Sequence, residues 1–157
     1  MVVECDDHQM GKAGVNHMEI TKYSDIKMGQ TAEVVHTVAE QDIQTFGELS
    51  GDYNPLHFNE EWAKGTIFGS RIAHGILTAA YVSAAIGMHL PGPGTIYMSQ
   101  SMRFLGPVRI GDTITALVEV INLNDEKERV TLKTTCTNQD GKIVLDGEAL
   151  VTLMKMS

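Results

Sequence analysis

The segment Asp52-Tyr53-Asn54-Pro55-Leu56-His57 sets a carboxylate and an imidazole on either side of a proline turn. Pro55 fixes one backbone angle and the Asp and Asn side chains favour turns, so the acid and the imidazole are drawn together. Further along, His74-Gly75 opens the most apolar run of the chain, GILTAAYVSAAIGMHL. A helix starting there carries unpaired N–H groups at the positive end of its dipole. Acid, imidazole and helix N-terminus together supply a proton-transfer pair and a cradle for developing negative charge. That combination suits chemistry at a carbon next to a carbonyl.

Other chemistries fit less well. Asp52, His57 and His74 are conceivable metal ligands, but the chain has no HExxH and no cysteine cluster, so no metal is expected. Cys5 and Cys136 are too few and too distant for a disulfide framework or a CxxC site, and Cys136, in the alternating run Val130, Leu132, Thr134, Cys136, reads as a core residue. Ser70 and Ser83 lack a G-x-S-x-G elbow, which argues against covalent catalysis. Gly92-Pro93-Gly94 lacks the lysine and following helix of a phosphate loop and reads as a helix stop. His8, His17, His36 and His89 carry no partner pattern and are expected at exposed or tail positions.

The elements that must position these groups follow from periodicity. The β-branched run TAEVVHT at 31–37 predicts a strand, and Thr37 with Glu40 is a plausible capping box for a helix that puts Ile43, Phe46 and Leu49 on one side and ends by Gly51. A loop, SGDYNPLHFN, leads to a short helical turn at EEWAK capped by Asn59. The run over 76–90 has no polar face, so it belongs inside the protein. Four strands are expected at about 95–105, 112–123, 128–138 and 142–153, the last placing Ile143, Leu145, Gly147, Ala149, Val151 and Leu153 on one side. The pattern is α+β: one long apolar helix wrapped by an antiparallel sheet of about five strands.

At 157 residues the chain holds one domain, expected over 19–157, with 1–18 as a disordered extension. Against 20 acidic residues stand 12 scattered Lys and Arg, a net charge of −8, which excludes a general nucleic-acid binder and disfavours anionic membranes. No apolar stretch reaches the roughly 18 residues that span a bilayer, and residues 1–18 lack the apolar centre of a signal peptide, so a cytoplasmic location is expected.

The stretches SGDYNPLHFNEEWA, IAHGILTAAYVSAAIG, LPGPGTIYMSQSMRFLGPVRIGD and DGEALVTL closely resemble the MaoC-like (R)-specific enoyl-CoA hydratases, over about residues 20–153. The resemblance implies a hot dog fold and hydration of trans-2-enoyl-CoA to (3R)-hydroxyacyl-CoA. By the same resemblance, Asp52 and His57 bind and polarise one water, the Gly75 N–H binds the thioester oxygen, and Asn54 shapes the loop. Ser83, Ile86 and Leu150 fall where such enzymes line the acyl tunnel. The resemblance implies no cofactor, since CoA is part of the substrate, and a homodimer or higher homo-oligomer; Arg103 and Arg109 are the candidates for the CoA phosphates. The alternatives are a 3-hydroxyacyl-carrier-protein dehydratase and a non-catalytic acyl-CoA binding domain.

Overall fold

The computed structural model describes residues 18–155; all of the expected extension but Met18 lies outside the described residues, and with it Cys5, His8 and His17. After a 3-10 turn at Tyr23–Asp25 come β1 (Thr31–Thr37), α1 (Glu40–Ser50), α2 (Pro55–Phe58), α3 (Glu60–Lys64) and α4 (Gly75–Met88). The strands β2 (Thr95–Phe104), β3 (Thr113–Asn124), β4 (Arg129–Thr137) and β5 (Ile143–Leu153) follow. All five strands pair antiparallel in the order β1-β3-β4-β5-β2, which leaves β1 and β2 as edges.

The sheet curves around α4 because one of its faces is apolar. In β4, Val130, Leu132, Thr134 and Cys136 are buried while the residues between them point away, the period of two that a half-buried strand requires. Leu77, Val82, Ala85 and Ile86 of α4 complete the same core. Each fully buried Leu or Ile here contributes roughly 1.5–3 kcal/mol of transfer free energy. Close pairing of β2 with β5 depends on Gly147, where a Cβ would stand 1.9 Å from the Ser101 carbonyl oxygen. Among the described residues no helix is long and apolar enough to cross a membrane.

Four expectations need correction. Ile143 is exposed and Val144 is buried with Leu145, because the β4–β5 register shifts at Cys136/Thr137 and breaks the alternation. Leu49 is 85% exposed, so only Ile43 and Phe46 of the expected trio face inward. The first turn of α1 is held by Asp42, whose Oδ2 accepts the Ala39 N–H at 2.7 Å, while Thr37 stays in β1 and bonds Thr113 Oγ1 across the sheet. The same Asp42 oxygen lies 2.9 Å from His36 Nε2, and the His36 ring packs on Tyr81 at 4.6 Å, so His36 is a connecting residue rather than an exposed one.

Within the single chain α4 is buried along one side only. Ile76 is 54% exposed, and Ala80 and Ser83 are exposed on the same stripe, although the helix has no polar face.

Candidate active site

Short-range bonds build the turn that carries the acid and the imidazole. Asp52 Oδ1 accepts the Asn54 N–H at 3.1 Å, and Asn54 Oδ1 accepts the Leu56 N–H at 3.0 Å. With Asn54 as cap and Pro55 at the first helical position, the second half of the expected loop becomes the single turn α2. His57 emerges from that turn buried. Its Nδ1 lies 2.8 Å from the Ile72 carbonyl oxygen; a carbonyl only accepts, so in the neutral ring the proton sits on Nδ1 and Nε2 keeps a bare lone pair.

Arg71 fixes α2 from behind. Its Nε donates to the His57 carbonyl at 2.7 Å and its Nη2 donates to both carboxylate oxygens of Glu40, at 2.8 and 3.1 Å. Hydrogen bonding to that guanidinium holds the Glu40 carboxyl below the usual carboxylate range.

His74 stands at the junction of turn and helix. Its ring lies over the His57 ring at 3.9 Å and beside Phe46 at 4.6 Å, and its Nε2 is 3.0 Å from the Asp52 carbonyl oxygen and 4.0 Å from Asp52 Oδ2. Burial lowers its pKa, which keeps the ring neutral. The next residue, Gly75, begins α4, and its N–H has no acceptor among the described residues. A Cβ on Gly75 would come within 2.8 Å of the Phe104 ring, so glycine lets that ring close over the start of the helix.

Of these groups, His57 and Gly75 line a cavity of about 440 Å³ whose wall also includes the apolar side chains of Phe68, Ile72, Ile76, Phe104 and Val144. That is the size and character of a site for a small apolar ligand. Asp52 is half exposed, and its carboxylate lies within 4.8 Å of ring nitrogens of both His57 and His74. The acid, the imidazole and the helix amide named from sequence therefore come together. As a metal set the trio is poorly disposed, because His74 Nε2, which faces Asp52, already donates to that residue's carbonyl.

The remaining named residues lie elsewhere. Asn54 caps α2 and does not line the cavity. Ser83 is exposed on the open side of α4, and Ile86 is wholly inside the core. Leu150 pairs with Thr131 and Ser99 on the outer face of the sheet, between the buried Ala149 and Val151, so it points away from α4. None of these three lines the cavity of this chain. Arg103 is ion-paired with Asp146 at 2.6 Å, and Arg109 is bound to Ser70 Oγ and, at 2.8 Å, to the Phe68 carbonyl; neither lines the cavity. Cys136 is fully buried, and burial pushes its thiol up to about 12, which suits a core residue and not a nucleophile.

Arg71 and Phe104 went unnoticed in the sequence. Nothing local marks an arginine in the loop before α4 that reaches Glu40 at the start of α1, or a ring brought over Gly75 by the end of an edge strand.

Comparison with known proteins shows the family and the fold. The family model of the MaoC like domain matches residues 22–141. The chain is 54% identical to an (R)-specific enoyl-CoA hydratase of Rhodospirillum rubrum over 129 residues, 82% of this chain and 89% of that protein. It is 44% identical to a 3-hydroxybutyryl-CoA dehydratase of Methylorubrum extorquens, covering 88% and 87%. Among solved structures it is similar to the unliganded R-hydratase PhaJ1 of Pseudomonas aeruginosa, with a TM-score of 0.81 and 43% identity over 87% of this chain and 88% of that one. A helix wrapped by a five-stranded sheet, an Asp-x-Asn-Pro-x-His turn laid against the helix start, and a match over most of the domain make this chain a member of the MaoC-like domain family, with the hot dog fold.

Proposed function

We propose that this protein adds water to trans-2-enoyl thioesters of coenzyme A to give the (3R)-hydroxyacyl thioester, and catalyses the reverse dehydration. Its relatives are hydro-lyases acting on such thioesters by name. The observation that carries the reading is that His57 and Gly75, whose N–H has no acceptor among the described residues, line one apolar cavity, with the Asp52 carboxylate within 4.8 Å of a His57 ring nitrogen.

Each group has a task that its surroundings support. Hydration places hydroxide on the β carbon and develops negative charge on the thioester oxygen. The Gly75 N–H, at the positive end of α4, hydrogen-bonds that oxygen; one such donor in a dry site contributes on the order of 3–4 kcal/mol to the transition state. Water sits between the Asp52 carboxylate and the bare Nε2 of His57. The pair takes one proton from it as the oxygen attacks and returns a proton to the α carbon on the same face, which supplies roughly 10²–10⁴-fold. No electrons are transferred to or from the protein, and the steps reverse with the same groups, so neither a cofactor nor a metal enters the mechanism.

The protein acts as a homodimer in this reading. Strand β2 is an unpaired edge with Ile96 and Met98 exposed, and the open stripe of α4 adds Ile76. Pairing two such edges satisfies their main-chain groups and covers the apolar surface. Light scattering after size exclusion is expected to give twice the chain mass.

The direct test is loss of the enoyl absorbance of crotonyl-CoA with chiral analysis of the product. An (R) product is expected; an (S) product or no turnover overturns the reading. The same assay on a crotonyl carrier-protein thioester identifies the preferred carrier.

A further inference from the structure

We infer that His74 is the positioning residue of this site: its ring N–H ties the main chain of Asp52 to the start of α4, and its face sets the plane of the His57 ring. Three observations meet in this one side chain. Its Nε2 lies 3.0 Å from the Asp52 carbonyl oxygen, which can only accept, so the Nε2 carries the proton. No other described group donates to that carbonyl. The ring is 2% exposed and lies 3.9 Å from His57, tilted by 33°, with Phe46 and Phe58 closing the remaining sides. And its own main chain runs directly into the Gly75 amide.

The other ring nitrogen makes the case sharper. Nδ1 of His74 is buried and has no partner among the described residues, and the ring does not cap α4. A leucine or phenylalanine would fill this aromatic pocket without burying an unpaired ring nitrogen, at the cost of leaving the Asp52 carbonyl without its donor. The imidazole is therefore costly as packing, and what it adds over an apolar ring is the N–H to Asp52. Asp52 needs such a tether. Its carboxylate is half exposed, and it follows Gly51, whose φ of 77° turns the chain sharply out of α1. Without the bond, the acid would be held by the Asn54 turn, by its N–H on Ser50 Oγ and by the packing of Tyr53 on Phe58, none of which reaches the start of α4.

The kinetic arm of the test rests on the hydration reading above. In His74→Gln the amide N–H reaches as far as Nε2 and keeps the donor; His74→Leu keeps the bulk and removes it. Crotonyl-CoA hydration by His74→Leu is expected to lose about 10²-fold in kcat with KM changed less than about threefold, and His74→Gln to recover at least about tenfold of that loss. Thermal melts accompany both, and the Leu variant is expected to melt no lower than the Gln variant. Two results overturn the inference: His74→Leu keeping more than about a third of wild-type kcat, or Gln performing no better than Leu while both melt cooperatively. Should wild-type protein not hydrate crotonyl-CoA, the function reading fails, and nitrogen NMR of the labelled imidazoles then decides the inference by itself. A His74 ring protonated at Nε2 supports it, and one protonated at Nδ1 overturns it.

Discussion

The sheet with α4 and the segment from Gly51 to His74 are held by different forces. The first is a continuous apolar core in which Ile86, Leu132, Val118 and Val151 are fully buried, tolerant of small shifts because dispersion and burial have no strict direction. The second has a thin apolar interior and is stitched by directed bonds from side chains to main chain: Asn54 to Leu56, Asn59 to Trp62, His57 to Ile72, Arg71 to His57, Arg109 to Phe68, His74 to Asp52. Burial supplies the stability and directed bonds supply the coordinates of the reacting groups. Rate and stability should therefore come apart under mutation.

The widest separation is expected at the reacting pair. Asp52→Asn and His57→Gln should each lower crotonyl-CoA turnover by about 10²–10⁴-fold while leaving the melting transition in place. A folded variant retaining more than about a tenth of wild-type turnover would remove that residue from the chemistry. The opposite behaviour is expected in the sheet. Leu132→Ala should cost about 2–5 kcal/mol in urea unfolding with kcat of the folded protein unchanged. Gly147→Ala should cost at least about 2 kcal/mol, because the added methyl meets the Ser101 carbonyl and pries β2 from β5.

Arg71 lies between the two regimes. Arg71→Ala should lower kcat about tenfold by freeing the His57 carbonyl. It should also remove an acid-dependent increment of stability. The Glu40 carboxyl titrates lower in the folded chain than its ordinary 4.5, so its pairing with Arg71 stabilises fully above that value and is lost as pH falls through the lowered one. The separation between melts of wild type and Arg71→Ala should thus narrow at the acid end and widen above it. Glu40 is half exposed, so the separation is small. The smallest effect belongs to Arg103→Ala on the outer face: under about 1 kcal/mol in urea unfolding, with KM for crotonyl-CoA unchanged. A raised KM would return Arg103 to the CoA phosphates.

The same division explains what could be read in advance. Alternation in β4 and the all-apolar composition of α4 report burial directly, so the wrapped-helix architecture was visible in residues such as Val130, Leu132 and Val82. The Asp52–His57 turn was visible too, because Asn54 and Pro55 act locally. Contacts between distant positions leave no such mark. Arg71 with Glu40, Asp42 with His36 and Phe104 over Gly75 join different elements, and no spacing rule encodes them. Ile143 was misplaced for a related reason: a register shift moves a side chain to the opposite face.

Strand order also constrains how the polypeptide matures on the ribosome. β2 is made before β3 and β4, yet its sole neighbour in the sheet is β5, among the last described residues to be synthesised. A nascent chain therefore carries β2 unpaired, Ile96 and Met98 included, until β5 clears the exit tunnel. The strand that reaches Phe104, and with it the ring over Gly75, settles only once β5 has been made.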